Sequence, residues 1–221
     1  MNRKIFWVFI FGITMGFFEA SVVVYLRALF YPEGFRFPIK YMPEYQTLMV
    51  VEILRELSSI FMMVSVAALV DASFSIKFAF FGFVFGVWDL VYYLVLKLAL
   101  GWPMTLGEWD LLFLLPLPWA GPVWAPCIVS VTLIFGALFL IKQWDRGIIY
   151  LIKPGDWLFM ILSGMLVVIS FLWEYKAIIS SNVPTIFPWY IFAAGEAAAV
   201  IYLVYVVRVR KHAREIAPGN R

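Results

Sequence analysis

The sequence predicts an all-α membrane protein, a polytopic bundle of six transmembrane helices with one short additional helix between the third and fourth spans. Hydrophobic residues make up 64% of the 221 residues and charged residues only 14%, whereas a soluble domain averages about 45–50% and about 25%. Several apolar runs exceed about 18 residues, which is long enough to cross a bilayer. The class is therefore a multi-pass membrane protein.

The six predicted spans form a single transmembrane domain that covers residues 1–221. At about 1.5 Å per residue, each span can cross a hydrocarbon core of about 30 Å with some tilt. The basic start at Arg3 and Lys4 resembles a signal peptide, but the apolar run continues to Phe30 without a small-residue cleavage pattern, so we expect an uncleaved first span. The predicted spans are 5–29, 46–70, 76–100, 120–142, 157–178 and 187–209, followed by a basic tail, 210–221.

The segment between the third and fourth spans is too short and too interrupted to cross a membrane. Thr105 and Glu108 have the spacing of a capping box, which predicts a helix over 106–115 that ends at Pro116. We expect this helix to be re-entrant or interfacial, on the outer side of the membrane.

The basic residues predict the orientation. Eleven of the 17 lysines and arginines would lie on the side of the N-terminus, and only Arg36 and Lys40 on the other side. Since cytoplasmic loops carry the excess of basic residues, both termini are expected in the cytoplasm, with the protein in the cell's inner (plasma) membrane. The net charge of +3 is distributed over helix ends, so it does not predict nucleic-acid binding.

The chain lacks the residues that most cofactors and many enzymes need. It has one cysteine, Cys127, and one histidine, His212, which lies in the basic tail. This excludes an intrachain disulfide, a thiolate zinc or iron–sulfur centre and a bis-histidine haem within the chain. Phosphate-binding loops, H-E-x-x-H and G-x-S-x-G motifs are also missing from the sequence. We therefore predict no cofactor and no metal, and we assign no catalytic residue.

The third span carries ionisable residues on a face that also carries glycine. Gly82, Gly86, Asp89, Tyr93 and Lys97 share one helix face. A carboxylate in mid-membrane costs roughly 2.5–3.5 kcal/mol on insertion scales, so a functional role is its default interpretation.

The first span repeats this pattern 70 residues earlier. Parallel repeats of this kind occur in transporters. Small residues four apart are common at any transmembrane interface, so a chance match stays open. The matched pairs are Gly12 with Gly82, Gly16 with Gly86, Glu19 with Asp89, and Arg27 with Lys97.

The second span adds Glu52, Arg55 and Glu56 on one face. Counted from the helix ends, the ionisable residues form one mid-to-outer layer, and its simplest assembly places Arg55 among Glu19, Glu56 and Asp89. The layer contains six acids (Glu19, Glu52, Glu56, Asp89, Glu174, Glu196) and four bases (Arg27, Arg55, Lys97, Lys176). A surplus of acids in a medium of low dielectric constant is resolved by protonation or by cation binding. The candidate substrate- or ion-binding residues are Glu19, Arg27, Glu52, Arg55, Glu56, Asp89, Tyr93, Lys97 and Glu196.

Four segments resemble a group of multi-pass bacterial membrane proteins to which no function is attached. They are FFEASVVVYLR, the E-x-x-R-E of Glu52 to Glu56, WDLVYYLVLKLALGWP and WDLLFLLPLPWAGPVWAP. The similarity covers roughly residues 5–130, and it implies no catalytic or binding residue.

Three functions stay open at this point. The first is a proton- or cation-coupled transporter whose site is the carboxylate layer. The second is a cofactor-free subunit of a larger membrane complex, in which the layer locks helices or relays protons. The third is an enzyme acting on a lipid or isoprenoid, with Arg27 and Lys97 holding an anionic head group. The expected partners are membrane lipid and other membrane subunits.

Overall fold

A computed structural model of the chain describes residues 2–38, 46–70, 72–150, 152–209 and 211–213. The described part is mostly helical and contains two short antiparallel sheets of two strands each, of which one is a hairpin. Its elements, in order, are α1 (Asn2–Phe30), α2 (Gln46–Ala68), α3 (Phe74–Leu100), β1 (Trp109–Phe113), β2 (Trp119–Pro122), α4 (Trp124–Asp145), β3 (Ile148–Tyr150), α5 (Pro154–Leu172), α6 (Tyr175–Ile179), α7 (Trp189–Val209) and β4 (Lys211–Ala213).

Each of the six predicted spans overlaps a helix, but the fourth begins too early, since residues 120–122 form a strand, and the fifth runs across both α5 and α6. Five helices of the described chain are long and apolar enough to cross a membrane. The exception is α2, which has 23 residues but carries Glu52, Arg55 and Glu56 near its middle. Large apolar side chains such as Phe61, Phe135 and Ile201 are exposed on the outer faces of the helices. Such surfaces suit lipid and not water, so the molecule is a membrane protein. The count of six spans stays a prediction.

Glycines set the direction in which α1 and α3 pack. A Cβ on Gly12 would meet Val87, and a Cβ on Gly16 would lie 2.6 Å from the carbonyl oxygen of Trp88. Residue numbers rise together along the two contact faces, so the helices are parallel and in close backbone contact. Both begin at one end of the bundle, the N-terminal end, and both finish at the opposite end.

The other close helix pairs are antiparallel. Gly86 of α3 approaches the carbonyl oxygen of Ser130 in α4, where a Cβ would lie at 2.6 Å, while Gly82 lies against Leu133. Residue numbers fall on α4 as they rise on α3. In the same way Gly195 of α7 lies against α5. Gly16 therefore contacts a parallel helix, whereas Gly86 contacts an antiparallel one. The two matched positions of the proposed repeat are packed differently.

The predicted helix over 106–115 is wrong, because this segment forms the β1–β2 hairpin at the end of the bundle opposite the N-terminus, the hairpin end. Trp109 pairs with Pro122 and Leu111 with Ala120. The carboxylate of Glu108 does accept hydrogen bonds from the backbone N–H groups of Met104 (3.0 Å) and Thr105 (3.4 Å). The capping-box residues therefore stabilise a turn. The apolar segment after this turn forms β1, which pairs with β2 beyond Pro116.

Two groups of buried apolar side chains hold the helices. The larger includes Met15, Met63, Phe80 and Val84, and joins α1, the last part of α2, α3 and α4. The smaller surrounds Phe171 and joins the hairpin to α4, α5 and the region before α7. Of the predicted tail 210–221, only residues 211–213 lie within the described chain, where they pair with β3.

A charged cavity between the helices

A cavity of about 1900 Å³ lies between α1–α4 on one side and α5 and α7 on the other. Its wall is mostly apolar and aromatic, and the hairpin contributes to it. Eight of the nine candidate site residues line it, and only Lys97 does not. The structure therefore brings most of them to one space, although it assigns them no role. The ionisable lining residues include Glu19, Arg27, Glu52, Arg55, Glu56, Asp89, Asp110 and Glu196.

Arg55 on α2 is held by two carboxylates. Its guanidinium donates to Glu52, one turn away, with an Nε–Oε2 distance of 2.9 Å, and to Glu19 on α1. Ser59 donates a second hydrogen bond to Glu19, at 2.9 Å. The predicted contact between Arg55 and a carboxylate of another helix is confirmed for Glu19. One guanidinium between two carboxylates leaves this group with one net negative charge when all three are ionised.

Glu56 is hydrogen-bonded to the hairpin and not to Arg55. It is 7% exposed, and its Oε2 accepts a hydrogen bond of 2.9 Å from the backbone N–H of Leu114, in the turn of the hairpin. The carboxylate therefore satisfies this backbone donor. Glu56 thereby fixes α2 to the hairpin. It makes no ion pair within the described residues.

Asp89 is 8% exposed and accepts a hydrogen bond of 2.7 Å from the hydroxyl of Ser130 on α4. The expectation that it would share Arg55 is wrong. Asp89 does lie on the glycine face of its helix, but Gly86 on that face packs against α4. The carboxylate consequently points toward Ser130 instead of toward α2.

Arg27 pairs with Asp110 of the hairpin, at an Nη2–Oδ1 distance of 2.9 Å. Its guanidinium carbon lies 3.8 Å from the ring centre of Trp102 and 4.4 Å from that of Phe35. Two aromatic rings therefore contact the cation. Burial raises the pKa of Asp110 to about 6, and the neighbouring Arg27 opposes this rise.

Asp110 was absent from the predicted site residues. It is 1% exposed and lies in an apolar segment, as Asp89 does. The criterion that selected Asp89, a carboxylate within an apolar run, also selects Asp110 when it is applied to the short segment 109–115. Its partner Arg27 is 83 residues away in the chain, and no local pattern connects the two.

Lys97 and Glu196 occupy different surroundings. Lys97 donates to the carbonyl oxygens of Gly101 (3.3 Å) and Pro103 (2.8 Å), and so closes the last turn of α3 outside the cavity. Glu196 on α7 lines the cavity and interacts with Thr132 of α4. No ion pair to it occurs within the described residues.

The charge balance of the cavity is strongly acidic. Among the described residues, six carboxylates and two guanidinium groups line it, a surplus of four acids over bases. Glu19, Glu52 and Asp110 have an arginine partner, whereas Glu56, Asp89 and Glu196 have no basic partner in the described chain. No three His, Cys, Asp or Glu side chains there converge as metal ligands would.

Tyr93 is buried in the cavity wall at 5% exposure and lies near Asp89 and Asp110. Neighbouring Trp88 is equally buried, and its indole N–H has no hydrogen-bond partner within the described residues.

No family model, curated protein or solved structure matches the chain. The function must therefore be argued from the cavity.

Proposed function

We propose that the protein is an integral membrane carrier that binds an apolar or amphiphilic molecule in the cavity and couples its passage to the protonation of buried carboxylates. The observation that supports this most directly is the cavity, which combines a lipid-like wall with an unbalanced set of acids. Pockets for drug-sized molecules measure about 300–1,000 Å³, and this one measures about 1900 Å³. Its size suits a molecule with a long or bulky apolar part.

Unpaired carboxylates are suitable groups for the coupling. Glu56, Asp89 and Glu196 lie on three different helices around the same space. An ionised carboxylate without a cation is costly in a medium of low dielectric constant, so each tends to take up a proton or a positively charged ligand. Loss of that proton on the other side of the membrane would complete a coupled cycle.

The parallel packing of α1 and α3 supports a sixth span. Since α1 finishes at the hairpin end and α3 begins at the N-terminal end, the chain between them must return along the bundle. The contact of Arg55 and Ser59 with Glu19 places the middle of α2 beside the middle of α1. We therefore propose that α2 crosses the membrane as well, with both chain termini in the cytoplasm and the protein in the inner membrane, as the basic residues predict.

The carrier explains the charges better than an enzyme acting on a lipid head group. That alternative uses Arg27 and Lys97 as anchors for an anionic group. Arg27 is instead neutralised by Asp110 and covered by aromatic rings, while Lys97 is bonded to carbonyl oxygens outside the cavity. An acidic cavity repels an anionic head group.

Filling the cavity tests the proposal. Gly164 on α5 lines it, and no atom lies within 4 Å of the position that a Cβ would take there, so the substitution Gly164→Phe adds a ring to the space without a clash at its Cβ. Gly155 on the same helix also has open surroundings but lies outside the cavity, so Gly155→Phe is the matched control. Both variants and the wild type are purified from membranes and their bound small molecules are identified by native mass spectrometry.

We expect the wild type and Gly155→Phe to carry the same apolar or amphiphilic molecule, and Gly164→Phe to lose most of it. Equal occupancy in all three proteins would place the bound molecule elsewhere and contradict the proposed site. Reconstituted vesicles with a pH-sensitive dye then test whether transport of that molecule moves protons.

A further inference from the structure

We infer that the ligand of this cavity is a lipophilic organic cation, that is, an amphiphilic amine or quaternary centre with a bulky apolar body. The inference rests on the proposed function, because it names the class of molecule that the carrier takes. Three observations carry it: the charge of the cavity, the aromatic groups in its wall and the separation of its unpaired carboxylates.

The charge favours a cation over a neutral or an anionic ligand. After both arginines are paired, Glu56, Asp89 and Glu196 still lack a basic partner in the described chain. These carboxylates attract a positive charge in the cavity, and in surroundings of low dielectric constant such an attraction is far stronger than in water. An anion would meet the same carboxylates with the opposite sign.

The wall has the groups that bind delocalised cations. Phe81, Phe85, Trp88, Phe113 and Trp119 all line the cavity, and cations bind over the faces of such rings, most strongly when desolvated. The protein already uses this interaction at Arg27, whose guanidinium carbon lies 3.8 Å from the ring centre of one tryptophan.

The arrangement of the carboxylates favours an organic cation over a metal ion. Glu56, Asp89 and Glu196 project from α2, α3 and α7, and no three potential ligands converge within the described residues. A metal ion needs several oxygen ligands at about 2.0–2.6 Å. A large delocalised cation needs none at that distance, and its apolar body is compatible with the rest of the wall.

The test compares a cation with a neutral molecule of similar shape. The protein is placed in nanodiscs, and binding of radiolabelled tetraphenylphosphonium and of triphenylphosphine oxide is measured by equilibrium dialysis, with empty nanodiscs subtracted. The variant is Glu56→Gln combined with Glu196→Gln, because glutamine keeps an oxygen that can accept the hydrogen bond from Leu114. The matched control is Glu174→Gln, which removes an acid outside the cavity.

We expect the wild type and the control to bind the cation at least tenfold more tightly than the neutral molecule. The double variant should lose about tenfold in affinity for the cation, which corresponds to about 1.4 kcal/mol, with no change for the neutral molecule. If the double variant does not fold, as judged by size-exclusion chromatography and circular dichroism, Glu196→Gln alone should give a smaller loss in the same direction.

The possible failures are distinguishable. Equal binding of the two probes by the wild type, or an unchanged affinity for the cation in a folded variant, would overturn the assignment of a cation and leave the apolar carrier in place. Binding of neither probe above the level of empty nanodiscs would overturn the assignment together with the proposed function.

Discussion

Removing the guanidinium of Arg55 should destabilise the bundle strongly. In Arg55→Ala, Glu19 loses its only basic partner in the described chain while it stays 5% exposed between α1 and α2. Only the hydroxyl of Ser59 would still bond it. Breaking a buried ion pair by removal of one partner costs about 3–5 kcal/mol, because it leaves a charge that is neither paired nor solvated.

The structure places the expected loss near the lower limit of that range. The carboxylate of Glu52 has a side-chain exposure of 23%, so it can be partly solvated once Arg55 is gone. Glu19 can also escape the full cost by taking up a proton. We therefore expect Arg55→Ala to lower the free energy of unfolding by about 3 kcal/mol.

The measurement is the free energy of unfolding in lipid bicelles, obtained by steric trapping with biotin tags on α1 and α3. Adding Glu19→Gln to Arg55→Ala removes the stranded charge and should recover about 2 kcal/mol, since neutral partners cost far less than an unpaired ion. Lys176→Ala, which removes an exposed base, is the control and should change stability by less than about 0.5 kcal/mol. A loss below about 1 kcal/mol in Arg55→Ala, or strictly additive effects of the two substitutions, would refute this account of the pair.

Three further predictions follow from the fold. Gly16→Val should destabilise the α1–α3 contact by several kcal/mol in the same assay, because a Cβ there lies 2.6 Å from a backbone carbonyl oxygen. The control Gly164→Val, in open space, should not destabilise the protein. Equal effects of the two substitutions would argue against the parallel contact. Asp110→Ala should lower the free energy of unfolding by about 3 kcal/mol, because it leaves Arg27 buried without its carboxylate. Adding Arg27→Met to Asp110→Ala should recover part of this loss. If it recovers nothing, packing and not charge dominates at this pair. In a variant without the native cysteine, Gly107→Cys should react with a membrane-impermeant maleimide in intact cells, because this exposed residue is expected on the outer side; labelling only after lysis would reverse the orientation.

The helices could be predicted from the sequence because the bilayer imposes their length and their polarity. The hairpin could not, because Thr105 and Glu108 make the hydrogen bonds of a cap while closing a turn. A run as short as 109–113 is compatible with either a helix or a strand. What decides between them is pairing with residues 119–122, which lie beyond two prolines and have no strand pattern of their own.

The candidate site was predictable in part for a related reason. An intramembrane charge identifies itself in the sequence, which is why eight of the nine candidate residues line one cavity. The partner of such a charge cannot be read from the sequence, because it depends on which neighbouring helix the charged face contacts. Asp89 was correctly placed on a glycine face, but the neighbour that this face contacts is α4, and so Ser130 takes the position that was expected for Arg55.

The pairing of Glu19 with Arg55 also has a consequence for biogenesis. The translocon passes segments into lipid one after another, and α2 carries three ionisable residues that make it a poor substrate for lateral release on its own. Arg55 pairs with Glu52 of its own helix and with Glu19 of the preceding helix, which is synthesised first. On the proposal that α2 crosses the membrane, its insertion should depend in part on α1, and Glu19→Ala should leave a larger fraction of nascent molecules with α2 uninserted.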